Sequence, residues 1–470
     1  MATEKKKLKA NVSWIRDARN PVLPPVTGSD YDATLCMNPW VVRQGDTYVL
    51  FYAGGGFNNH RRLCRATAKI DAVDQWERHG LVFNVGEPGS FDGDWCVLPH
   101  VIPLEDGSWR LYYTGNSGIG ASLDRFPGLG MAESADGVNF VKYEGNPVIP
   151  PSKQEGDPDA LGIAGGSVLH AKLPDGSREW RFYYTGCPTL GKDVFLDQQK
   201  TACLAVSKDG VHWEKRGAVM RREPQRDYEN IAVAGPVVHQ NEDGSFRMWY
   251  SAIGTRWGFY SICYAESEDG IHWNRGTHYG DNLQMGPVFT KGNWEEQMVE
   301  YPSVVKQDDG TLRLFYCGNG YGRTGIGTAV STPLRATRDD TAAHIAEAGG
   351  DRSWLLVPPA RIAWDGGAAV RDGNVPWQGP DARGSIWYEE TLSPGFDLRV
   401  IIRHSANGID FSLTYMNWSE QTFMNVIAPV ALESFGPQAG ASDAQLDWQE
   451  AIGDVPPGAT VVQNGTIRLG

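Results

Sequence analysis

Five short segments of the chain carry a carboxylate at the same place. Asp32, Asp92, Asp159, Glu229 and Glu295 each stand seven residues before a proline or glycine (Pro39, Pro99, Gly166, Pro236, Pro302) that opens an apolar run. An acid required five times over is most simply a demand of the fold, because a carboxylate at a turn accepts backbone N–H groups that would otherwise go unsatisfied. The same register isolates residues that occur once. Two places before the proline, only the fifth segment has an acid, Glu300, where the others have Met37, Val97, Ala164 and Ala234. Five places before, only the second has one, Asp94, against Thr34, Leu161, Ile231 and Gln297. One place before, the first segment alone has an amide, Asn38; one place after, Trp40 and His100 stand where Ser167, Val237 and Ser303 stand elsewhere. Carboxyl groups in unlike surroundings support acid–base catalysis, one held protonated to donate and one ionised to accept or attack. Glu300, between Met298, Val299 and Tyr301, is the candidate acid, since apolar surroundings raise a carboxyl pKa. Asp94, beside Trp95, is the first candidate for its partner, with Asp32 as the alternative.

The elements that must position these residues repeat. Each segment runs from an apolar strand through a turn to a second strand ending in an aromatic-tyrosine pair, as in NPWVVRQGDTYVLFYAG from Asn38 and YPSVVKQDDGTLRLFYCG from Tyr301. The closing tyrosines fall at 52, 113, 184, 250 and 316, at intervals of 61, 71, 66 and 66. Three copies continue into an Asp-Gly hairpin (MAESADGVNF, LAVSKDGVHW, YAESEDGIHW), so a unit supplies about four short strands, the content of one propeller blade. The expected fold is all-β: a five-bladed β-propeller over residues 12–335, a linker with a short helix over 336–352, and a C-terminal β-rich, sandwich-like appendage over 353–470. The helix is placed in ATRDDTAAHIAEAGG, with Thr337 or Asp339 as its cap. In a propeller the innermost strands converge on a central funnel, so residues that break the repeat can meet there.

Composition narrows the partners. The formal net charge of −14 disfavours nucleic acid. The opening MATEKKKLKANVSW lacks the apolar core of a signal peptide and no apolar stretch approaches membrane-spanning length, so the chain reads as soluble and cytoplasmic. Seven scattered cysteines without CxxC pairs read as buried thiols. The histidines show no metal-ligand spacing, and no glycine-rich loop leads into a helix as a nucleotide site requires. No cofactor is expected; a propeller axis can hold a structural calcium ion, and no spacing here calls for one.

The five-unit repeat, the Asn38-Pro39 start of an inner strand and Glu300-Tyr301-Pro302 resemble the five-bladed propeller glycosidases, glycoside hydrolase families 43 and 32 and their relatives. The resemblance covers about two thirds of the chain. In family 43 an Asp-Pro in the first blade supplies the general base and a Glu-Gly-Pro the acid; by position these fall on Asn38 and Glu300. Asn38 cannot take a proton, and Glu300 lies in the fifth copy instead of the third. The resemblance therefore implies a glycoside hydrolase acting on a small saccharide or glycosylated metabolite, with a neighbouring carboxylate (Asp30, Asp32 or Asp94) as base. The alternatives are a non-catalytic sugar-binding propeller, or a funnel reused for lyase, transfer, phosphorolysis or rearrangement chemistry. Phosphorolysis, as in the related family 130, would call on Arg61, Arg62 or Arg323 to hold phosphate. Asn38, His100, Asp159, Glu229 and Arg323 complete the candidate substrate contacts, with Trp40, Trp95 and Trp257 as surfaces on which sugar rings could stack.

Overall fold

The computed structural model describes residue 8, residues 12–117, 127–188, 199–277 and 279–332 and, with short interruptions, most of 334–469. The chain divides into two units at Val330, the second also taking Lys9–Arg16. Both are built almost wholly of antiparallel strands.

In the first unit each sequence repeat forms its own set of strands. The first set is Leu35–Gln44, Thr47–Gly55, Arg61–Lys69 and Glu77–Phe83, and the second is Trp95–Pro103, Trp109–Asn116, Gly128–Ser134 and Val141–Lys142. A single parallel contact, Arg61 with Trp95, joins these two edge to edge. The third is Gly162–Lys172, Arg178–Cys187, Thr201–Ser207 and Glu214–Met220; the fourth is Ala232–Gln240, Phe246–Ile253, Tyr260–Ser267 and Leu283–Met285. The fifth contains Glu300–Lys306, Leu312–Cys317 and Ile326–Thr332. Its outer strand takes hydrogen bonds from the chain start: Asp17 N–H to Thr328 O at 3.0 Å, and Leu23 and Ile326 exchanging N–H and O at 3.0 Å each. Joining residues some 300 positions apart closes the sets into a ring, the architecture of a β-propeller.

Each repeated acid clamps its own sheet. The closing tyrosine donates its hydroxyl to it: Tyr52 to Asp32 at 2.7 Å, Tyr113 to Asp92 at 2.8 Å, Tyr184 to Asp159 at 3.0 Å, Tyr250 to Glu229 at 2.7 Å and Tyr316 to Glu295 at 3.0 Å. In four of the five a cation from the outer part of the same sheet pairs with it: Arg78 with Asp32, Lys142 with Asp92 at 2.6 Å, Lys215 with Asp159 at 2.7 Å and Arg275 with Glu229 at 3.4 Å. The five acids are 4% exposed or less. Their principal partners are thus phenol and cation rather than the turn amides the sequence suggests, because the acid sits under the sheet, where a buried charge is retained only when paired. This corrects three candidate roles. Asp32 is no free base, and Asp159 and Glu229 are no substrate contacts; each carboxylate is spent within its sheet.

Neighbouring sheets are latched at the axis. The N–H of the residue before the proline or glycine is received by a side chain on the preceding sheet: Gly165 by Thr114 at 2.7 Å, Gly235 by Thr185 at 2.8 Å, Tyr301 by Ser251 at 2.8 Å and Asn38 by Cys317 Sγ at 3.0 Å. These acceptors all follow a closing tyrosine. In the first sheet that place is Ala53, which offers no acceptor, and Asn38 Oδ1 receives Leu98 N–H instead at 3.3 Å. A second ring of latches lies two residues on, where Ser303 receives Val41 N–H at 3.0 Å, His100 receives Val168 at 3.4 Å and Ser167 receives Val238 at 2.8 Å.

At the Asp-Gly turns the glycines (Gly137, Gly210, Gly270) have positive φ, of 71° to 74°, and each aspartate side chain accepts the N–H groups two and three residues on. His212 and His272 occupy matching places, each bonded to the aspartate three residues before it.

The second unit holds three sheets. Leu334–Arg338, Ala343–Glu347, Ser353–Val357 and Ala431–Phe435 form one; Gly367–Val370, Arg361–Trp364, Phe423–Ile427 and Ala451–Val455 another; and Ile386–Ser393, Phe396–Ser405, Gly408–Asn417, Thr460–Leu469 and Ala444–Asp447 the third. One core draws on all three, with Ile345, Leu356, Ile362, Tyr388, Leu398 and Phe423 buried in it. The expected helix over 336–350 is replaced by a hairpin in which Leu334 pairs with Glu347 and Arg338 with Ala343. Thr337, read as a cap, pairs with His344, while Asp339 lies outside the described residues. Ala343 and Ile345 are fully buried and His344 between them is not, a two-residue period that the core imposes over alanine's helix preference. Among the described residues no helix is long and apolar enough to cross a membrane.

The latches give a direct test. Thr185→Val removes the acceptor of the buried Gly235 N–H and should lower unfolding free energy by about 1–3 kcal/mol, with Thr185→Ser near wild type, as read from urea denaturation. Equal stability of all three would show that the latch contributes nothing.

Candidate functional site

The innermost strand of every sheet is interrupted at the same point. Pairing slips between Met37 and Trp40, Val97 and His100, Ala164 and Ser167, Ala234 and Val237, and Glu300 and Ser303. At this bulge Asn38, Leu98, Gly235 and Tyr301 take left-handed backbone, with φ of 53°, 52°, 56° and 52°. Such a conformation costs a non-glycine residue about 1–3 kcal/mol and tends to persist where function over-determines it. The bulges turn the strands toward a small axial cavity of about 20 Å³ that takes lining residues from all five sheets, among them Asn38, Leu98, Gly166, Gly235 and Tyr301. Gly166 stands where four sheets have proline, since a Cβ there would lie 2.1 Å from the Tyr183 carbonyl oxygen.

Glu300 opens the inner strand of the fifth sheet, one residue before Tyr301, which lines this cavity. It is 0% exposed, and neither carboxyl oxygen has a hydrogen-bond partner among the described residues. Burial pushes its pKa well above the usual carboxylate range; the positive charges of Lys200 and Arg61 pull the other way and are outweighed. Burial therefore favours the protonated form, which has a proton to give.

Two cations face it from different sheets. Lys200, leading into the third strand of the third sheet, donates to the Tyr260 hydroxyl at 2.9 Å, and its main-chain carbonyl receives Val233 N–H at 3.0 Å. Burial works against its charge, yet Tyr260, the Cys187 thiol and Glu300 together hold its pKa above the ordinary lysine value. Arg61, opening the third strand of the first sheet, lies over the Trp95 ring with its guanidinium carbon 3.9 Å from the centroid. Burial lowers its pKa, and the nearby charge of Arg323 adds to that effect. Tyr260 stands 5.7 Å from Tyr301 and 6.2 Å from Tyr321, centroid to centroid. Tyr321 belongs to the tight loop Asn319–Gly322, in which Gly320, Tyr321 and Gly322 all have positive φ, of 63°, 59° and 80°. A Cβ on Gly322 would meet the Cys36 carbonyl oxygen at 2.1 Å, so glycine lets this loop lie against the inner strand of the first sheet.

The remaining candidates are distributed around this centre. Asp94 is half-buried on the strand edge beside Arg61: its carbonyl oxygen accepts Arg61 N–H at 3.4 Å and contacts the His60 ring at 3.2 Å. Asp30 is exposed, with Arg62 bonded to its carbonyl oxygen. Trp40 and His100 pack together with ring centroids 3.7 Å apart, Trp40 donating its indole N–H to Val101 O at 2.9 Å. His100 is thus a latch residue, kept neutral by burial, which drives its pKa well below the usual value. Trp95 donates to Asn59 O at 2.9 Å. Trp257 packs against the core of the fourth sheet under Arg256, away from the axial cavity. Arg323 is exposed. Among the described residues no group of three or more histidine, cysteine or acidic side chains could hold a metal ion.

No protein-family model matches the chain. Two curated proteins are similar to it: uncharacterized protein MT1551 of Mycobacterium tuberculosis strain CDC 1551 / Oshkosh and uncharacterized protein Rv1502 of strain ATCC 25618 / H37Rv. Each is 30% identical over 303 residues, 63% of this chain and 92% of the relative. The chain belongs to the family of these mycobacterial proteins. Among solved structures, this family member is similar to one described as "The GH130 family of mannoside phosphorylases contains glycoside hydrolases that target beta-1,2 mannosidic linkages in Candida mannan", at 16% identity and TM-score 0.52 over 70% of this chain and 96% of that one. It is also similar to a glycoside hydrolase at 18% identity and TM-score 0.51, over 70% and 95% of the two chains. A glycosyl hydrolase from Bacteroides ovatus follows at 17% identity and TM-score 0.50, over 69% and 96%. At these identities the likeness is one of fold, and it is the fold the sequence resemblance names: that of the propeller glycoside hydrolases.

Sequence comparison of the repeats singles out Glu300 but passes over Lys200, Tyr260 and Cys317. Lys200 and Tyr260 share one place in the repeat with Arg61, three residues before the cross-strand partner of the closing tyrosine, and that column becomes comparable only once the strand registers are known. Cys317 was in plain view after the fifth closing tyrosine, in a column of Ala53, Thr114, Thr185 and Ser251; only the ring shows that this column faces the next sheet.

The raised pKa of Glu300 predicts a stability signature. The folded state keeps a proton that the unfolded chain releases near pH 4.5, so wild-type stability falls as pH rises from there through the raised folded value. Glu300→Gln carries no such proton, and its stability advantage over wild type should widen across that window in denaturation series run at successive pH. Parallel curves would mean that Glu300 ionises freely in the fold.

Proposed function

We propose that the protein is a carbohydrate-active enzyme, a glycoside hydrolase that cleaves a glycosidic bond with Glu300 as general acid. The observation that carries this reading is the fully buried, unpartnered Glu300 carboxyl, whose protonated form burial favours, one residue before Tyr301 in a cavity lined from all five sheets. Glycosidic cleavage asks for such a group: a carboxyl that stays protonated near neutral pH and gives its proton to the departing oxygen as the sugar ring becomes positive. Asp94, next to Arg61 on the second sheet, serves as the partner that activates water. Arg61 and Lys200 return a positive field once Glu300 has lost its proton, which eases the transfer. Such chemistry needs no cofactor. We read the five sheets as a five-bladed propeller carrying the site, residues 353–470 as a β-sandwich-like appendage, the substrate as a small saccharide or glycosylated metabolite, and the location as cytoplasmic.

The test is Glu300→Gln assayed on aryl glycosides. Turnover of substrates with poor leaving groups should fall by about 10²–10⁴, while dinitrophenyl glycosides, whose leaving group needs no proton, should be cleaved nearly as well as by wild type. The wild-type rate should decline as pH rises through the Glu300 value. Equal loss on both substrate classes would remove Glu300 from the acid role.

A second reading, phosphorolysis, is favoured by one feature. Arg61 stacks on Trp95 close to Arg323, and among the described residues no carboxylate forms an ion pair with either. On this reading inorganic phosphate replaces water and a sugar 1-phosphate accumulates. Cleavage that is independent of added phosphate leaves hydrolysis alone.

A further inference from the structure

Three buried polar atoms without partners belong to two residues that share one neighbour, Cys317. Asn38 Nδ2 and both carboxyl oxygens of Glu300 accept or donate no hydrogen bond among the described residues, and the two residues are 2% and 0% exposed. Cys317 ties them together: its Sγ receives the Asn38 N–H at 3.0 Å, and it is the cross-strand partner of Glu300. Asn38 also lines the axial cavity. Its other amide atom is committed, since Oδ1 holds Leu98 N–H in place of the acceptor that Ala53 lacks. The Asn38 side chain is thereby fixed, with its donor left over.

An unmade hydrogen bond on a buried group costs about 1–3 kcal/mol, and fixed, unfilled polar groups at a cavity are what a preorganised binding site consists of. The chemistry of the three atoms describes the ligand. Asn38 Nδ2 can only donate, and neutral Glu300 can donate once and accept once. A cation satisfies neither donor, and a lone anion leaves the Glu300 acceptor empty. Adjacent oxygens, one of them a hydroxyl, satisfy all three.

We propose that Asn38 selects the sugar ring: its amide nitrogen donates to the hydroxyl oxygen adjacent to the glycosidic oxygen that Glu300 protonates. This rests on the glycoside reading and adds to it the residue that recognises the ring. Asn38 is a binding contact here, held by the latch through one atom and reading the ligand through the other.

Two variants separate these duties. Asn38→Asp keeps an oxygen for Leu98 and replaces the donor by an acceptor. Asn38→Gly combined with Ala53→Thr removes the side chain and rebuilds the latch as the third and fourth sheets make it, with Thr185 holding Gly235; glycine also suits the left-handed backbone. Wild type and both variants are titrated calorimetrically with a panel of methyl α- and β-glycopyranosides, with thermal unfolding as the fold control. The expected result is binding of one stereochemical series by wild type, weakened about tenfold or more in both variants, with melting temperature little changed. Equal affinity in the folded variants overturns the proposal and leaves the glycoside reading standing, as does weakening in Asn38→Asp alone, which would be an effect of the added charge. Should Asn38→Asp not fold, the double variant decides. If wild type binds none of the panel, the glycoside reading falls and this site with it.

Discussion

The first unit depends on satisfying one main-chain N–H per sheet. Each innermost strand is bulged beside the axis, which takes an amide out of its ladder and leaves it buried, where an unmet N–H is expensive. The preceding sheet supplies the acceptor, a threonine, serine or cysteine placed directly after its closing tyrosine. The interaction is therefore between sheets and propagates round the ring. The one sheet that lacks the acceptor, at Ala53, borrows it from Asn38.

The acid clamps answer a separate need. A tyrosine hydroxyl reaches a buried carboxylate inside each sheet, joined in four of them by a cation, tying inner to outer strands. Because each carboxylate accepts its tyrosine and four of them also pair with a cation, these acids can be buried without becoming reactive. Glu300 is the contrast. It has the same burial but neither phenol nor ion-pair partner, only the more distant fields of Lys200 and Arg61, and so it holds its proton. One residue type thus serves as scaffold in five places and as a proton source in a sixth, and the difference lies entirely in what surrounds it.

The bulge is what turns scaffold into site. Left-handed backbone at Asn38, Leu98 and Tyr301 carries strain, offset by the latches and the packing of aromatic rings such as Tyr260 on Tyr301. It brings the residues at the heads of all five inner strands to a common cavity. Residues that break the repeat there are of two kinds: His100 and Trp40 pack and latch the ring, whereas Glu300 remains chemically free.

Counting along the chain was enough to find the repeat, the strand content and the division between acids that recur and acids that do not, because these depend on local periodicity and on comparison among copies. It separated Glu300 from Glu295 on that ground alone. It was not enough to tell that Asp32, Asp159 and Glu229 are neutralised, since Arg78, Lys215 and Arg275 lie some 46 to 56 residues downstream and meet them only across a folded sheet. Nor could it place Lys200 and Arg61 near Glu300, or convert residues 336–350 from helix to hairpin, where the partner strands and the core decide. Local pattern specifies which side chains share a face; which charges face one another across the axis, and so which carboxyl keeps its proton, is set only when distant segments are brought together and water is excluded.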